Sequence, residues 1–198
     1  MTRDVFDEIK EQEARLGLPA DFYVSLINED DWSFVIKLNA LVEAACTHAL
    51  AARLHAPELI ESLASLDLGH SKHGKVALLR ALDAMTSEQA SVLQLLYQLR
   101  NSLAHNIAQV GFSFRSYIAG LDKQQLTNFL KRAGHGVQDT VSLEGKTVSR
   151  AAFVVQNPKF ALWLTVAGII ACLHLEHEIA ELRLDRLGLE LARGGNRG

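Results

Sequence analysis

With 198 residues, 48% of them hydrophobic, the chain can bury one substantial core, and a second full domain would be cramped, so residues 1–198 are expected to form a single domain. The 20 Lys and Arg against 23 Asp and Glu leave a net charge of -3, which excludes a global basic field for nucleic acid; any RNA contact has to be local. Cys46 and Cys172 stand far apart in Ala- or Leu-rich contexts and read as reduced, buried thiols, and Met1-Thr2-Arg3-Asp4-Val5-Phe6 carries no apolar signal segment, so a cytoplasmic protein is expected.

In chain order, residues 3–16 place Val5, Phe6, Ile9 and Leu16 at helical spacing, and Gly17 with Pro19 ends this peripheral helix. Asp30 and Asp31 can cap a long core helix over Trp32 to His55, with Phe34, Val35, Leu38, Leu41, Val42, Ala45, Ala49 and Leu50 in its apolar set. Pro57 opens a short helix through Leu66, the Gly69–Gly74 stretch reads as a loop, and Val76 to Met85 reads as a helix. Thr86 and Gln89 fit a capping box for a helix from Ser87 to Ala104 that buries Val92, Leu95, Leu96 and Leu99.

Beyond it, Gly111 to Tyr117 is ambiguous, and Asp122 to Arg132 predicts a helix capped by Asp122 with Gln125 and closed by Gly134. Residues 137–156 break the helical pattern: Val141 to Val148 alternates around Glu144-Gly145, which predicts a small β-hairpin or irregular insertion. Asn157-Pro158 starts a final helix to about residue 192, before a fraying Arg193–Gly198 tail. The fold class is therefore all-α. The uncharged run Phe160 to Leu175 falls short of the ~20 residues of a membrane span and predicts a core or interface helix, with no membrane partner.

The chemically specific feature is Arg100-Asn101-Ser102-Leu103-Ala104-His105. On a helix Asn101 and His105 share a face, while Arg100 lies about 140° from His105, within reach of a long side chain. A guanidinium offers fixed donors and permanent charge to a phosphate, and an imidazole can take or give a proton near neutral pH. Those functions suffice for metal-free RNA cleavage, with Asn101 orienting and not reacting. The plain alternative is that Arg100 and His105 finish a helix against its negative dipole end. Glu43 is a lone carboxylate inside the long apolar helix, and salt bridging or solvation is its ordinary use.

Other polar groups read more plainly. His174, His177 and Glu178 share a helix face but lack the HExxH order, so a polar face or dimer contact is expected there and no metal. Lys72, His73, Lys75 and Arg80 form a modest patch of loop charge that can guide RNA or stay solvated. Phe112, Phe114 and Tyr117 can stack bases or anchor the core.

From Trp32 to Asn106 the chain resembles the HEPN superfamily, in which a helix with a Val-Glu pair, here Val42-Glu43, precedes a helix ending in Leu-Arg-Asn-x-x-Ala-His, here Leu99 to His105. Both the mannitol-repressor-like and the abortive-infection-like branches fit. The resemblance implies a four- or five-helix up-and-down bundle, with a core of about 30–106 plus the closing helix of about 157–192. It implies a homodimer whose two motifs meet in one composite cleft. It further implies a metal-independent endoribonuclease needing no cofactor, acting as a toxin or antiphage effector, with an antitoxin or regulatory protein as partner. Arg100 would hold the scissile phosphate, His105 would be base or acid, Asn101 would position His105 or the phosphate, and Glu43 would support Arg100. Members that bind without cleaving imply a second reading, a non-catalytic helical regulatory module.

Overall fold

The computed structural model describes residues 4–105, 107–143 and 146–194. Its elements are helices and one hairpin, an all-α fold with a small β insertion. Helix α1 (Val5–Arg15) stops where Gly17 adopts φ 67°, a left-handed conformation that costs glycine nothing. A short α2 (Phe22–Ser25) leads to α3 (Asp31–Arg53), whose N-cap Asp30 accepts from the Ser33 N–H at 2.9 Å. After α4 (Ile60–Ala64) and a loop come α5 (Lys75–Ala81) and α6 (Ser87–Ala104). The Thr86–Gln89 capping box of α6 is complete, with both reciprocal bonds formed.

Ser113 caps α7 (Phe114–Ala119), and the Asp122–Gln125 box caps α8 (Lys123–Ala133). Strands β1 (Thr140–Leu143) and β2 (Lys146–Ser149) pair antiparallel from Thr140↔Ser149 to Leu143↔Lys146. The expected Glu144-Gly145 turn lies outside the described residues, as does the tail from 195 to 198. The insertion is shorter than its sequence suggests, because Ser149 caps a further helix, α9 (Arg150–Gln156). Helix α10 runs from Pro158 to Gly194.

The core is built around α3, which is apolar on nearly every side: Phe34, Leu38, Val42, Cys46 and Leu50 are fully buried, and α10, α6, α5 and α4 surround it. Each such side chain contributes about 1.5–3 kcal/mol of hydrophobic stabilisation. Helix α10 covers α3 with Leu162, Val166, Ile169 and Leu173, and α1 packs on its other side. Tyr23 locks this arrangement: its hydroxyl donates to the Trp163 carbonyl, the Trp163 indole N–H returns a bond to the Tyr23 carbonyl at 2.9 Å, and the rings stack 5.0 Å apart. Both α3 and the Pro158–Ala180 part of α10 are long and apolar enough to cross a membrane, yet most of the apolar stretch of each is buried in the protein's own packing.

Three expectations need correction. Cys172 is exposed while Cys46 is buried, because Cys172 falls on the outward side of α10; both are free thiols. Lys75 is not loop charge: it starts α5 and is 1% exposed. The helix expected from Val76 to Met85 ends at Ala81, and Asp83 takes a positive φ of 54° in the turn that follows.

Candidate functional site

Helix α6 delivers the motif residues because Leu95, Leu96, Leu99 and Leu103 bury its opposite side against α3. At 100° per residue, Ser87, Ser91, Gln94, Gln98, Asn101 and His105 fall within about 40° of a single line along its outer side. This line is about 27 Å long at 1.5 Å per residue. All six side chains are exposed or half-buried.

At the C-terminal end of this stripe, Arg100 Nη1 donates to Asn101 Oδ1 at 3.0 Å, so the amide steadies the guanidinium. His105 closes the helix as its C-cap residue and is exposed, its backbone N–H reaching the Asn101 carbonyl at 3.4 Å. Asn101, expected to position His105 or the phosphate, is thus engaged with Arg100. Glu43, expected to support Arg100, is paired with Lys75. Its Oε1 accepts from the buried Lys75 ammonium at 3.1 Å, and the Ala64 carbonyl accepts from the same Nζ at 3.1 Å.

Tyr97, one turn before Asn101, is a site residue that the motif did not reveal. Its hydroxyl donates to Asp67 Oδ2 at 2.6 Å. That bond raises the phenol above its ordinary pKa, against the opposing pull of the Asn101 amide and the Arg100 charge. Slight burial pushes Asp67 up, but the bonds from Tyr97 and from the Gly69 and His70 N–H groups outweigh it and hold the carboxyl below its usual range. Asp67, Tyr97, Asn101 and Arg100 therefore form one chain of interactions tying the 67–74 loop to the motif. Within that loop the His70 and His73 rings stack at 5.2 Å, and His70 Nδ1 accepts from the Lys72 and His73 N–H groups. The sequence signal was there to be read: Asp67-x-Gly-His is an Asx-type turn, and Tyr97 stands four residues before Asn101.

The N-terminal end of the stripe is cationic. Ser87 and Ser91 border a cavity of about 400 Å³ lined also by Asn128, Lys131, Arg132 and Arg150, with Glu88 as its lining carboxylate. The same two serines border a second hollow of about 290 Å³ with His70, Arg80 and Gln94. Arg132 Nε donates to the Ser91 carbonyl at 2.7 Å, and burial pushes its guanidinium down from the ordinary value while the nearby Tyr117 opposes this. A half-buried guanidinium still keeps its charge and gains from an anion.

At the other end, Ser102 borders a hollow of about 520 Å³ with Phe112, Ser113, Ser116 and Tyr117. Phe112 and Tyr117 are half-buried, their rings tilted against each other at 5.9 Å, whereas Phe114 is 1% exposed and belongs to the core. The arrangement thus offers donors and positive charge at one end of α6, the Arg100, Asn101 and His105 set towards the other, and aromatic faces beside it. No protein-family model, curated protein or solved structure matches the chain.

Proposed function

We propose that this protein is a HEPN-type, metal-independent endoribonuclease, in which Arg100, Asn101 and His105 cleave RNA threaded along α6. The observation that carries the reading is the polar stripe: it joins a cationic cavity, the exposed His105 and an aromatic hollow along one side of one helix, with Arg100 reaching round to it through its bond to Asn101. A single-stranded substrate needs those three kinds of contact, for phosphate, reacting centre and base.

In the proposed reaction, His105 removes the proton of a ribose 2'-hydroxyl, and the 2'-oxygen attacks the adjacent phosphorus. The P–O5' bond breaks, and the leaving oxygen takes a proton from an imidazolium. Products are a 2',3'-cyclic phosphate and a 5'-hydroxyl end, with no change in oxidation state. Arg100 stabilises the charge of the phosphorane, and proton transfer by a placed imidazole contributes typically about 10²–10⁴-fold.

One His105 supplies one proton position, so a homodimer that brings two motifs together supplies base and acid. The apolar seam Leu175, Ile179 and Leu182, exposed at spacings of four and three on α10, supports a second copy as partner. In the cell such an enzyme needs restraint, which accords with a cytoplasmic toxin or antiphage effector held by an antitoxin.

The test is cleavage of a labelled RNA pool in EDTA by wild type, Arg100→Ala and His105→Ala at matched fold and oligomeric state. Cyclic-phosphate ends from wild type, lost in both variants, are expected. Equal silence in all three, with RNA or a protein partner still bound, would favour the non-catalytic regulatory module instead.

A further inference from the structure

On the other side of the molecule α1 and α10 enclose a polar cluster that the nuclease reading does not use. His174 is 1% exposed, and Glu8 and Gln12 are 4% and 2% exposed. Helix α1 presents Glu8, Glu11 and Gln12 at i, i+3 and i+4, and α10 presents His174 and Glu178 at i and i+4, so both helices direct one face into the same space.

The imidazole is oriented. Its Nδ1 lies 3.0 Å from Gln12 Oε1, an acceptor, so Nδ1 carries the hydrogen and donates it. Nε2 faces carboxylate oxygens: Glu11 Oε2 at 3.1 Å, Glu8 Oε2 at 3.6 Å and Glu178 Oε1 at 3.7 Å. Carboxylate charge gathers at that point, and a cation held there would balance it.

The distances fit a metal ion. Zinc bonds of about 2.0–2.1 Å to nitrogen and oxygen, arranged tetrahedrally, put neighbouring ligand atoms about 3.3 Å apart. The Nε2 distances to Glu11 and Glu8 bracket that edge, and the ligand atoms of Glu8, Glu11 and His174 all lie within 4.8 Å of one another. Gln12 has the role of the group that fixes a ligating histidine's tautomer through its second nitrogen.

We infer that Glu8, Glu11 and His174 form a structural site for a divalent first-row metal ion, with water as the fourth ligand, Zn²⁺ being the best fit to one imidazole and two carboxylates. Its work is to clamp α1 onto α10, helices far apart in the chain. The site is independent of the Arg100 chemistry, and its test reads binding, not cleavage.

The full-length protein, stripped with EDTA and dialysed, is titrated with Zn²⁺ against a chromophoric chelator and, separately, with Co²⁺ followed by visible absorption. One equivalent of either ion is expected, with the strong visible bands of four-coordinate Co²⁺. At a free Zn²⁺ concentration about 100-fold above Kd, Tm should rise by roughly 5–10 °C. Glu11→Gln, at a side chain 46% exposed where the change is tolerated by the fold, should weaken binding at least tenfold. Gln12→Leu should weaken it about 10–100-fold through the freed imidazole. Absence of uptake by the wild type at tens of micromolar Zn²⁺ would overturn the site, as would unchanged uptake in folded Glu11→Gln.

Discussion

Glu43→Gln separates two uses of one carboxylate. Lys75 Nζ, on a side chain 1% exposed, has Glu43 Oε1 and the Ala64 carbonyl as acceptors at 3.1 Å each. Removing the partner of a fully buried ion costs about 3–5 kcal/mol, whereas an exposed pair is worth under about 1 kcal/mol. Glu43 is 35% exposed, so water screens the pair, and glutamine keeps an acceptor; the expected cost is about 1–2 kcal/mol. For a chain of this size that lowers Tm by about 2–8 °C. Urea unfolding followed by circular dichroism reads it as a lower midpoint at unchanged slope. In a Lys75→Met background, which removes the buried ammonium, the same substitution should cost less than about 0.5 kcal/mol. An equal cost in both backgrounds would refute the pairing argument. Loss of RNA cleavage at unchanged stability would return Glu43 to the support of Arg100.

The remaining predictions concern the loop, the thiols and the groove. A Cβ on Gly69 would lie 2.4 Å from Cδ1 of the Tyr97 ring, so Gly69→Ala should cost about 1–3 kcal/mol, and Tyr97→Ala should recover part of it in a double-variant melt. Because the Asp67 carboxyl is held below its unfolded pKa of about 3.9, its contribution is present above that pH and lost as pH falls further; Asp67→Asn should flatten the acid limb of the stability curve. Burial pushes the Cys46 thiol up to about 12, and the Cys172 thiol less far. A disulfide reagent at pH 8 should therefore modify one thiol in the native protein and two after denaturation. The same burial makes Cys46 lose stability as pH rises above about 8.5, since the unfolded thiol ionises first. Lys131→Ala should weaken single-stranded RNA binding uniformly and make its log–log salt slope shallower by about 0.7; an unchanged slope would remove that residue from the groove.

What could be read in the sequence is local. Thr86 with Gln89, Asp122 with Gln125, and Pro158 act on backbone groups within one turn, and each starts its helix where expected. The strand alternation around residues 141–148 also has a local cause. What could not be read depends on partners distant in sequence. Lys75 looks like loop charge until Glu43, on α3, is seen beside it, and His174 looks like surface polarity until α1 supplies Gln12 and Glu11. The candidate site divides the same way: Arg100, Asn101 and His105 stand out by residue type, but Tyr97 and the Lys131, Arg132 and Arg150 cavity exist only once the loop, α8 and α9 pack beside α6.

The pairing of α3 with α10 also sets a timetable. Residues Arg53 and Pro158 bracket ~100 residues of intervening chain, and at synthesis rates of about 5–20 residues per second the apolar side of α3 waits roughly 5–20 s for its cover. During that interval Leu38, Val42 and Leu50 have α4, α5 and α6 as neighbours but not the helix that completes their burial. The nascent protein passes through a stage with a long apolar helix only part-covered, exposing surface that invites aggregation until α10 arrives.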